Sequence, residues 1–238
     1  MSSPSTPARG RPARLDRART LETALDLLNQ SGLDALTMRR LADAMGVQAG
    51  ALYRYFATKQ DLLTAMAERM LEGVAESAEA AGDGGDDGDG DGNRGDDWSA
   101  RLTALARAHR TALLAHRDGA RVFAGTHATG SSVLGFANTF VGVLREAGFR
   151  DDDAARALYT VVNYTAGHTL EEQAALQAED EAPESVSTLR DAVTAGTYPH
   201  LSATLPTLTS TDFTRLFEFG LGLIIEGLRG RRGPSASD

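Results

Sequence analysis

The chain has 238 residues, of which 42% are hydrophobic and 24% charged, and its formal net charge at pH 7 is −9. That length allows a sizeable buried core, and no apolar stretch approaches the roughly 18 residues a membrane-spanning helix needs. Cysteine is absent, which excludes disulfides and thiolate metal sites.

The charge is unevenly distributed. Residues 1–60 carry nine basic and five acidic side chains, a net +4, while residues 61–238 carry fifteen basic and twenty-eight acidic ones, a net −13. A polyanion docks by local charge rather than by the total, so the pattern predicts a basic head on an acidic body.

Residues 1–14 hold three prolines among scattered arginines and serines, the composition of a disordered arm. They lack the apolar centre of a secretory signal, and a cytoplasmic, soluble chain is expected. A helix is predicted from about Asp16 to Ser31, burying Leu21, Ala24, Leu25 and Leu28 and stopped by Gly32. Thr37 caps a second helix that buries Leu41 and Ala42 and ends at Met45. Gly46 occupies the tight turn that follows, where positive φ is needed. A third helix is expected over about Gln48 to Tyr55. Thr58 and Asp61 then form a T-x-x-D capping box, opening a longer helix through Leu62, Leu63, Met66, Met70 and Val74.

Residues 82–97 contain seven Gly and seven Asp, a stretch with nothing to bury that reads as a flexible loop. Helical periodicity resumes over about 98–117, breaks at Asp118-Gly119, and returns at about 120–127 and 131–147. Another helix starts at Asp151-Asp152-Asp153, acids suited to a helix N-terminus, and runs to about Gln177. Residues 179–210 are loosely patterned, with one short helix expected near 186–195. The last helix, about Asp212 to Arg229, is apolar on nearly all sides through Phe213, Leu216, Phe217, Phe219, Leu221, Leu223, Ile224, Ile225 and Leu228. Its own core cannot cover every face, which predicts a second copy of the chain as cover. No strand is predicted.

Two short helices around a tight turn, followed by Tyr53-Arg54-Tyr55-Phe56, describe a helix-turn-helix that lies against a DNA duplex. Arg39 has the reach and fork for bidentate contact with guanine, and Gln48, Ala49, Gly50, Ala51 and Arg54 occupy the recognition helix. Thr37, Tyr53, Tyr55 and Lys59 are placed for phosphates, which set register without reading sequence. Tyr53 and Phe56 suit the core of the three-helix unit equally well.

Residues 15–75 resemble the TetR family of bacterial one-component repressors. The likeness rests on Gly32, Leu36-Thr37-Met38-Arg39-Arg40-Leu41-Ala42, Met45-Gly46-Val47, Leu52-Tyr53-Arg54-Tyr55-Phe56 and Lys59 before Leu62-Leu63. His116-Arg117-Asp118-Gly119-Ala120-Arg121-Val122-Phe123-Ala124-Gly125-Thr126, Arg145-Glu146-Ala147-Gly148-Phe149, Leu170-Glu171-Glu172-Gln173 and the helix 217–228 look like the tetracycline-repressor subgroup. The resemblance implies an all-α, two-domain protomer: a three-helix DNA-binding domain at 15–62, then a helical ligand-binding and dimerisation domain at 63–230, with a tail at 231–238. It also implies a homodimer, a palindromic operator and a small-molecule inducer.

In the subgroup, a histidine just before the Gly-Thr pair binds the drug's magnesium. Here that position is Phe123, although Glu171 matches the carboxylate that helps hold the metal's waters. A magnesium–tetracycline inducer is therefore not expected, and neither a metal nor a cofactor is predicted. An apolar pocket with a few polar anchors, accepting an aromatic or polyketide-like molecule, fits better. Its expected wall comprises His109, Leu113, Phe123, His127, Phe136, Phe140, Tyr159, Asn163, Tyr164 and His168, residue types that serve a core equally well.

Three other patterns are set aside. Asp87-Gly88-Asp89-Gly90-Asp91-Gly92 matches half of a calcium loop, but the twelfth position is Trp98 rather than Glu. The five histidines include no paired ligand spacing for zinc. Adjacent Glu171 and Glu172 point about 100° apart on a helix and do not form an acid/base pair. With no nucleophile elbow, phosphate loop or dinucleotide fingerprint, an enzyme is not expected.

Overall fold

The computed structural model describes residues 16–82, 97–181 and 185–231. The expected arm at 1–14, the Gly/Asp segment at 83–96 and the tail at 232–238 lie outside the described residues. The described residues form helices and connecting turns, with no strand among them.

The head is built from α1 (Arg17–Ala35), α2 (Met38–Met45) and α3 (Ala49–Leu52), closed by α4 (Lys59–Met70). Each start is fixed locally. Asp16 accepts from the Arg19 N–H, Thr37 from the Arg40 N–H, and Thr58 with Asp61 makes a reciprocal capping box, each satisfying donors that a helix N-terminus leaves open. Gly46 takes φ 67° and ψ 32° between α2 and α3, a left-handed turn that a β-carbon would disfavour. Leu28, Leu41, Leu52, Phe56, Leu62 and Met66 are buried together in the core of the head. Full burial of each such side chain is worth roughly 1.5–3 kcal/mol.

The body comprises α5 (Val74–Gly82), α6 (Asp97–Leu114), α7 (Gly119–Ala124), α8 (Ser131–Glu146), α9 (Asp151–Glu181), α10 (Ser185–Ala195), α11 (Pro199–Leu208) and α12 (Phe213–Arg229). Trp98, Leu102 and Leu105 of α6, Phe136 and Phe140 of α8, Val161 of α9, and Phe217 and Leu221 of α12 share its core. The long α9 is the spine, packed against α6, α7, α8 and α12. A buried Arg110–Glu172 pair at 2.7 Å ties α6 to α9, and the Arg110 guanidinium lies over the Phe217 ring of α12, 5.3 Å from its centroid.

Several helix limits differ from the sequence expectation. The α3 helix is a single turn ending at Leu52 rather than at Tyr55, because the chain must turn sharply to bury Phe56 before Thr58 opens α4. Helical structure in α1 resumes after Gly32, which has φ 77°, and extends to Ala35. The helix expected through Val74 is interrupted at Leu71–Gly73, where Gly73 takes φ 74°. Helix α11 was not expected. It buries no residue and has Pro206 inside it, although Leu201, Leu205 and Leu208 recur at helical spacing.

The final helix does expose the face that its composition predicts. Phe217, Leu221, Ile225 and Leu228 are buried, whereas Phe219 is 69% and Leu223 60% exposed.

Candidate DNA interface and ligand cavity

The α2–turn–α3 unit directs a coherent set of side chains to solvent. Thr37, Arg39, Gln48, Gly50, Tyr53, Arg54 and Tyr55 are exposed, and Ala49, Ala51 and Lys59 partly so. Gln48 precedes α3 without spending its side chain on a cap. Phe56 is buried to 1% and Tyr53 is half exposed, so of these two rings only Phe56 serves the core. Beneath it the Arg17 guanidinium stacks on the Phe56 ring at 5.1 Å. Lys59 has a partner within the protein, its Nζ lying 3.5 Å from the carbonyl oxygen of Leu33 near the end of α1.

Head and body meet along α4 and α7. Val122 of α7 is fully buried within the head's apolar core, while the adjacent Phe123 packs against both the head and the body cores. Two contacts hold α4 to the segment leading from α7 into α8. Gln60 Nε2 donates to the carbonyl oxygen of Gly125 at 2.8 Å, and Glu68 accepts from the backbone N–H of Gly130 at 2.6 Å and of Ser132 at 3.1 Å.

A third contact comes from the Asp118 turn. Asp118 is buried and accepts from the Leu33 N–H at 2.8 Å, just past the Gly32 break, and from Gln177 Nε2 of α9 at 3.2 Å. Although burial opposes its ionisation, these donors and Arg121 hold its carboxyl below the usual carboxylate range. Together these side chains join the spine of the body to the end of α1.

Between α7, α8 and α9 lies a cavity of about 400 Å³, lined by Leu71, Phe123, Thr126, His127, Ala128, Thr129, Val133, Phe136, Ala137, Leu158, Tyr159 and Val162. Its walls are mainly apolar, with threonine hydroxyls, the Tyr159 phenol and the exposed His127 as polar groups. Just behind this wall is His109, 1% exposed. Its ring centroid is 4.8 Å from that of Phe123 and 5.3 Å from that of Phe136, and its Nε2 has no hydrogen-bond partner. Burial lowers its pKa to about 4, so the imidazole is neutral at physiological pH.

Of the ten residues expected in the pocket wall, Phe123, His127, Phe136 and Tyr159 line this cavity, and His109 touches two of them. The other five are elsewhere. Leu113 and Phe140 are fully buried in core packing, and Asn163 is exposed. Tyr164 Oη donates to the carbonyl oxygen of Phe217 at 2.9 Å, and His168 Nε2 lies 3.0 Å from that of Phe213, so both anchor α12. Glu171 is exposed, while its neighbour Glu172 is committed to Arg110. Sequence reasoning did not reach Val133 with Ala137, or Leu158 with Val162. These are i, i+4 pairs that look like ordinary core until α8 and α9 are seen facing one another. Among the described residues, no group of three or more His, Asp or Glu side chains could hold a metal ion.

Comparison with known proteins matches both halves of this arrangement. Residues 21–66 match the family described as bacterial regulatory proteins, tetR family, and residues 91–232 match the tetracyclin repressor-like C-terminal domain. The chain is 40% identical over 213 residues to the tetracycline repressor protein class A from transposon 1721 of Escherichia coli, covering 89% of each sequence. A solved structure of a possible TetR family transcriptional regulator from Streptomyces coelicolor A3(2) matches at 69% identity with a TM-score of 0.77, over 90% of this chain and 99% of that one. The Streptomyces coelicolor TetR family protein ActR in complex with actinorhodin matches at 27% identity with a TM-score of 0.77, over 94% of this chain and 100% of that one.

Proposed function

We propose a ligand-controlled repression cycle for this chain, which belongs to the TetR family of bacterial regulators. It is a DNA-binding transcriptional repressor that meets operator DNA as a homodimer, and its family is one of regulators rather than enzymes. Its place of action is the cytoplasm, with the DNA. Each protomer sets α2 and α3 against the duplex. Arg39, Gln48, Ala49, Gly50, Ala51 and Arg54 face base edges, and Thr37, Tyr53, Tyr55 and Lys59 face phosphates. Two heads about 34 Å apart enter successive major grooves of a palindrome.

The inducer is a multi-ring aromatic molecule that occupies the cavity beneath α7. The apolar walls support this reading, and the relative ActR is seen with actinorhodin. One observation carries the coupling: consecutive residues of α7 serve different masters, Val122 in the head core and Phe123 on the cavity wall. A ligand that displaces Phe123 disturbs the helix carrying Val122, and with it the packing of α7 against α4. Gln60 and Glu68 pass movement of the 125–132 segment to the two ends of α4, the first of which directly follows the recognition unit. Ligand binding thus favours a dimer shape in which the heads no longer match the operator.

The test is a titration of purified protein against the intergenic DNA beside its own gene, at two salt concentrations, with a panel of polyketide and other aromatic compounds. Sequence-selective binding released by one compound is expected. Selective binding that no cavity-occupying compound weakens would overturn the ligand-controlled part of the reading.

A further inference from the structure

The cavity wall conceals one chemically unfinished group. His109 lies on α6 behind Phe123 and Phe136, with its Nε2 buried and without a partner. A buried polar atom left unpaired is costly to the folded protein, and leaving it so calls for an explanation. Aliphatic side chains would fill the same space without that cost. The rings in front of it are not equivalent: Phe136 is 3% exposed, whereas Phe123 is only partly buried and meets the His109 ring at an interplanar angle of 69°. Both rings line the cavity and both touch the His109 ring, and Phe123 is the more accessible of the two.

We propose that His109 is the specificity-determining anchor of the cavity, its Nε2 hydrogen-bonding a ring hydroxyl of a planar polycyclic ligand that takes the place of Phe123 against it. This deepens the inducer reading above and rests on it. The imidazole is uncharged, so it selects a neutral hydroxyl-bearing ring rather than an anion. Of the polar groups on the wall, Thr126, His127 and Thr129 lie on the loop before α8 and Tyr159 of α9 is 69% exposed, whereas His109 stands buried on α6. The loop groups adapt to the ligand's substituents, and His109 fixes the depth and orientation of its core. Displacement of Phe123 by such a ligand also supplies the disturbance of α7 on which release from DNA depends.

The test uses the full-length protein and two probes of one carbon skeleton, 1,8-dihydroxyanthraquinone and unsubstituted anthraquinone. Binding is followed by calorimetry and by the absorbance of the dye. The hydroxylated probe is expected to bind at least tenfold more tightly to the wild type. His109→Phe, which keeps a ring but removes the nitrogens, should abolish that preference, bringing the affinities of the two probes together. His109→Gln should restore part of it.

Imidazole ¹⁵N resonances of the wild-type protein give a readout independent of any variant's folding: the Nε2 resonance of His109 should shift with the hydroxylated probe only. If both probes bind and His109→Phe leaves their ratio unchanged, or if the resonance does not move, His109 is not the anchor and the cavity remains a ligand site. If neither probe binds the wild type, the proposal falls together with the aromatic-inducer reading.

Discussion

Glu68 of α4 accepts a 2.6 Å hydrogen bond from the backbone N–H of Gly130, 62 residues further along the chain. The same carboxylate takes the Ser132 N–H at 3.1 Å and the Val133 N–H at 3.4 Å, so it serves as the missing N-cap of α8, where Gly130 offers no side chain. The negative charge also suits the positive end of the helix dipole. Close approach has a steric condition: a β-carbon on Gly130 would stand within 2.8 Å of three atoms of the Glu68 carboxyl group. A helix of the head–body junction is thus fastened to the lip of the cavity.

Breaking this clasp should uncouple the two ends of the molecule. Glu68→Ala leaves the α8 donors without their acceptor and is expected to lower stability by about 1–3 kcal/mol. Gly130→Ala forces the carboxylate away and should cost a similar amount. In both variants, at a temperature where they remain folded, operator affinity without ligand should change less than the ligand's power to reduce it. Ligand titrations of protein–operator complexes measure this directly. A normal response to ligand in either variant would show that coupling runs through α7 alone.

On the head, base readers and phosphate readers should separate under salt. Arg39→Ala is expected to cost roughly 1–3 kcal/mol on operator DNA and to relax preference at one base pair. Lys59→Ala should weaken specific and random DNA alike and reduce the salt slope by about one. Lys59 also lies against the Leu33 carbonyl oxygen, so its variant needs a thermal melt beside the binding curves. Identical effects of both variants on specific and random DNA would contradict this division of labour.

How much of this was legible beforehand depended on the range of the interaction. The head was readable because its signals are local: Thr37 caps, Gly46 turns, and Thr58 with Asp61 closes a box within four residues. The length of α3 was not, because its end is decided by burial of Phe56 rather than by any breaker. Phe123 and His127 could be placed beside the cavity by the Gly125-Thr126 motif. Tyr164 and His168 had the right residue types and spacing, but tertiary packing turned them towards α12. The Glu68 clasp and the Gln60 contact left no trace in the pattern, since a carboxylate or amide on an amphipathic helix reads as a solvated side chain. Helix α11 was hidden by a local signal, Pro206, which reads as a breaker although the helix continues through it to Leu208.

Stability should fall in mild acid because of His109. Its pKa is lowered from 6.5 to about 4 in the folded protein, so between those values the unfolded chain binds the proton and the folded one does not. Stability rises with pH wherever the unfolded state binds more protons. The contribution is therefore complete above pH 6.5 and is lost progressively as pH falls towards 4. The full difference is about 3 kcal/mol at 1.36 kcal/mol per pKa unit. His116 is shifted in the same direction by its partial burial, so His109→Phe should flatten most, not all, of the slope. Urea midpoints measured from pH 4 to 7.5 provide the check, and an unchanged slope in the variant would refute the assignment.

Dimerisation should depend on the outer face of α12. Phe219 and Leu223 are one helical turn apart and are 69% and 60% exposed in the protomer, an apolar pair that water would not favour but a second copy would cover. In a symmetric dimer each residue near the twofold axis meets its own counterpart or a close neighbour, so one substitution alters the interface twice. Leu223→Glu puts two like charges into the contact, and Phe219→Ala removes two rings. The glutamate variant should shift sedimentation from dimer to monomer and lower operator affinity at least a hundredfold. A single head makes half the contacts and loses the benefit of tethering the second head at high local concentration. Its helical content should be retained, because Phe217, Leu221, Ile225 and Leu228 still hold α12 to its own body. A Leu223→Glu protein that sediments as a dimer and binds operator normally would place the interface on another face.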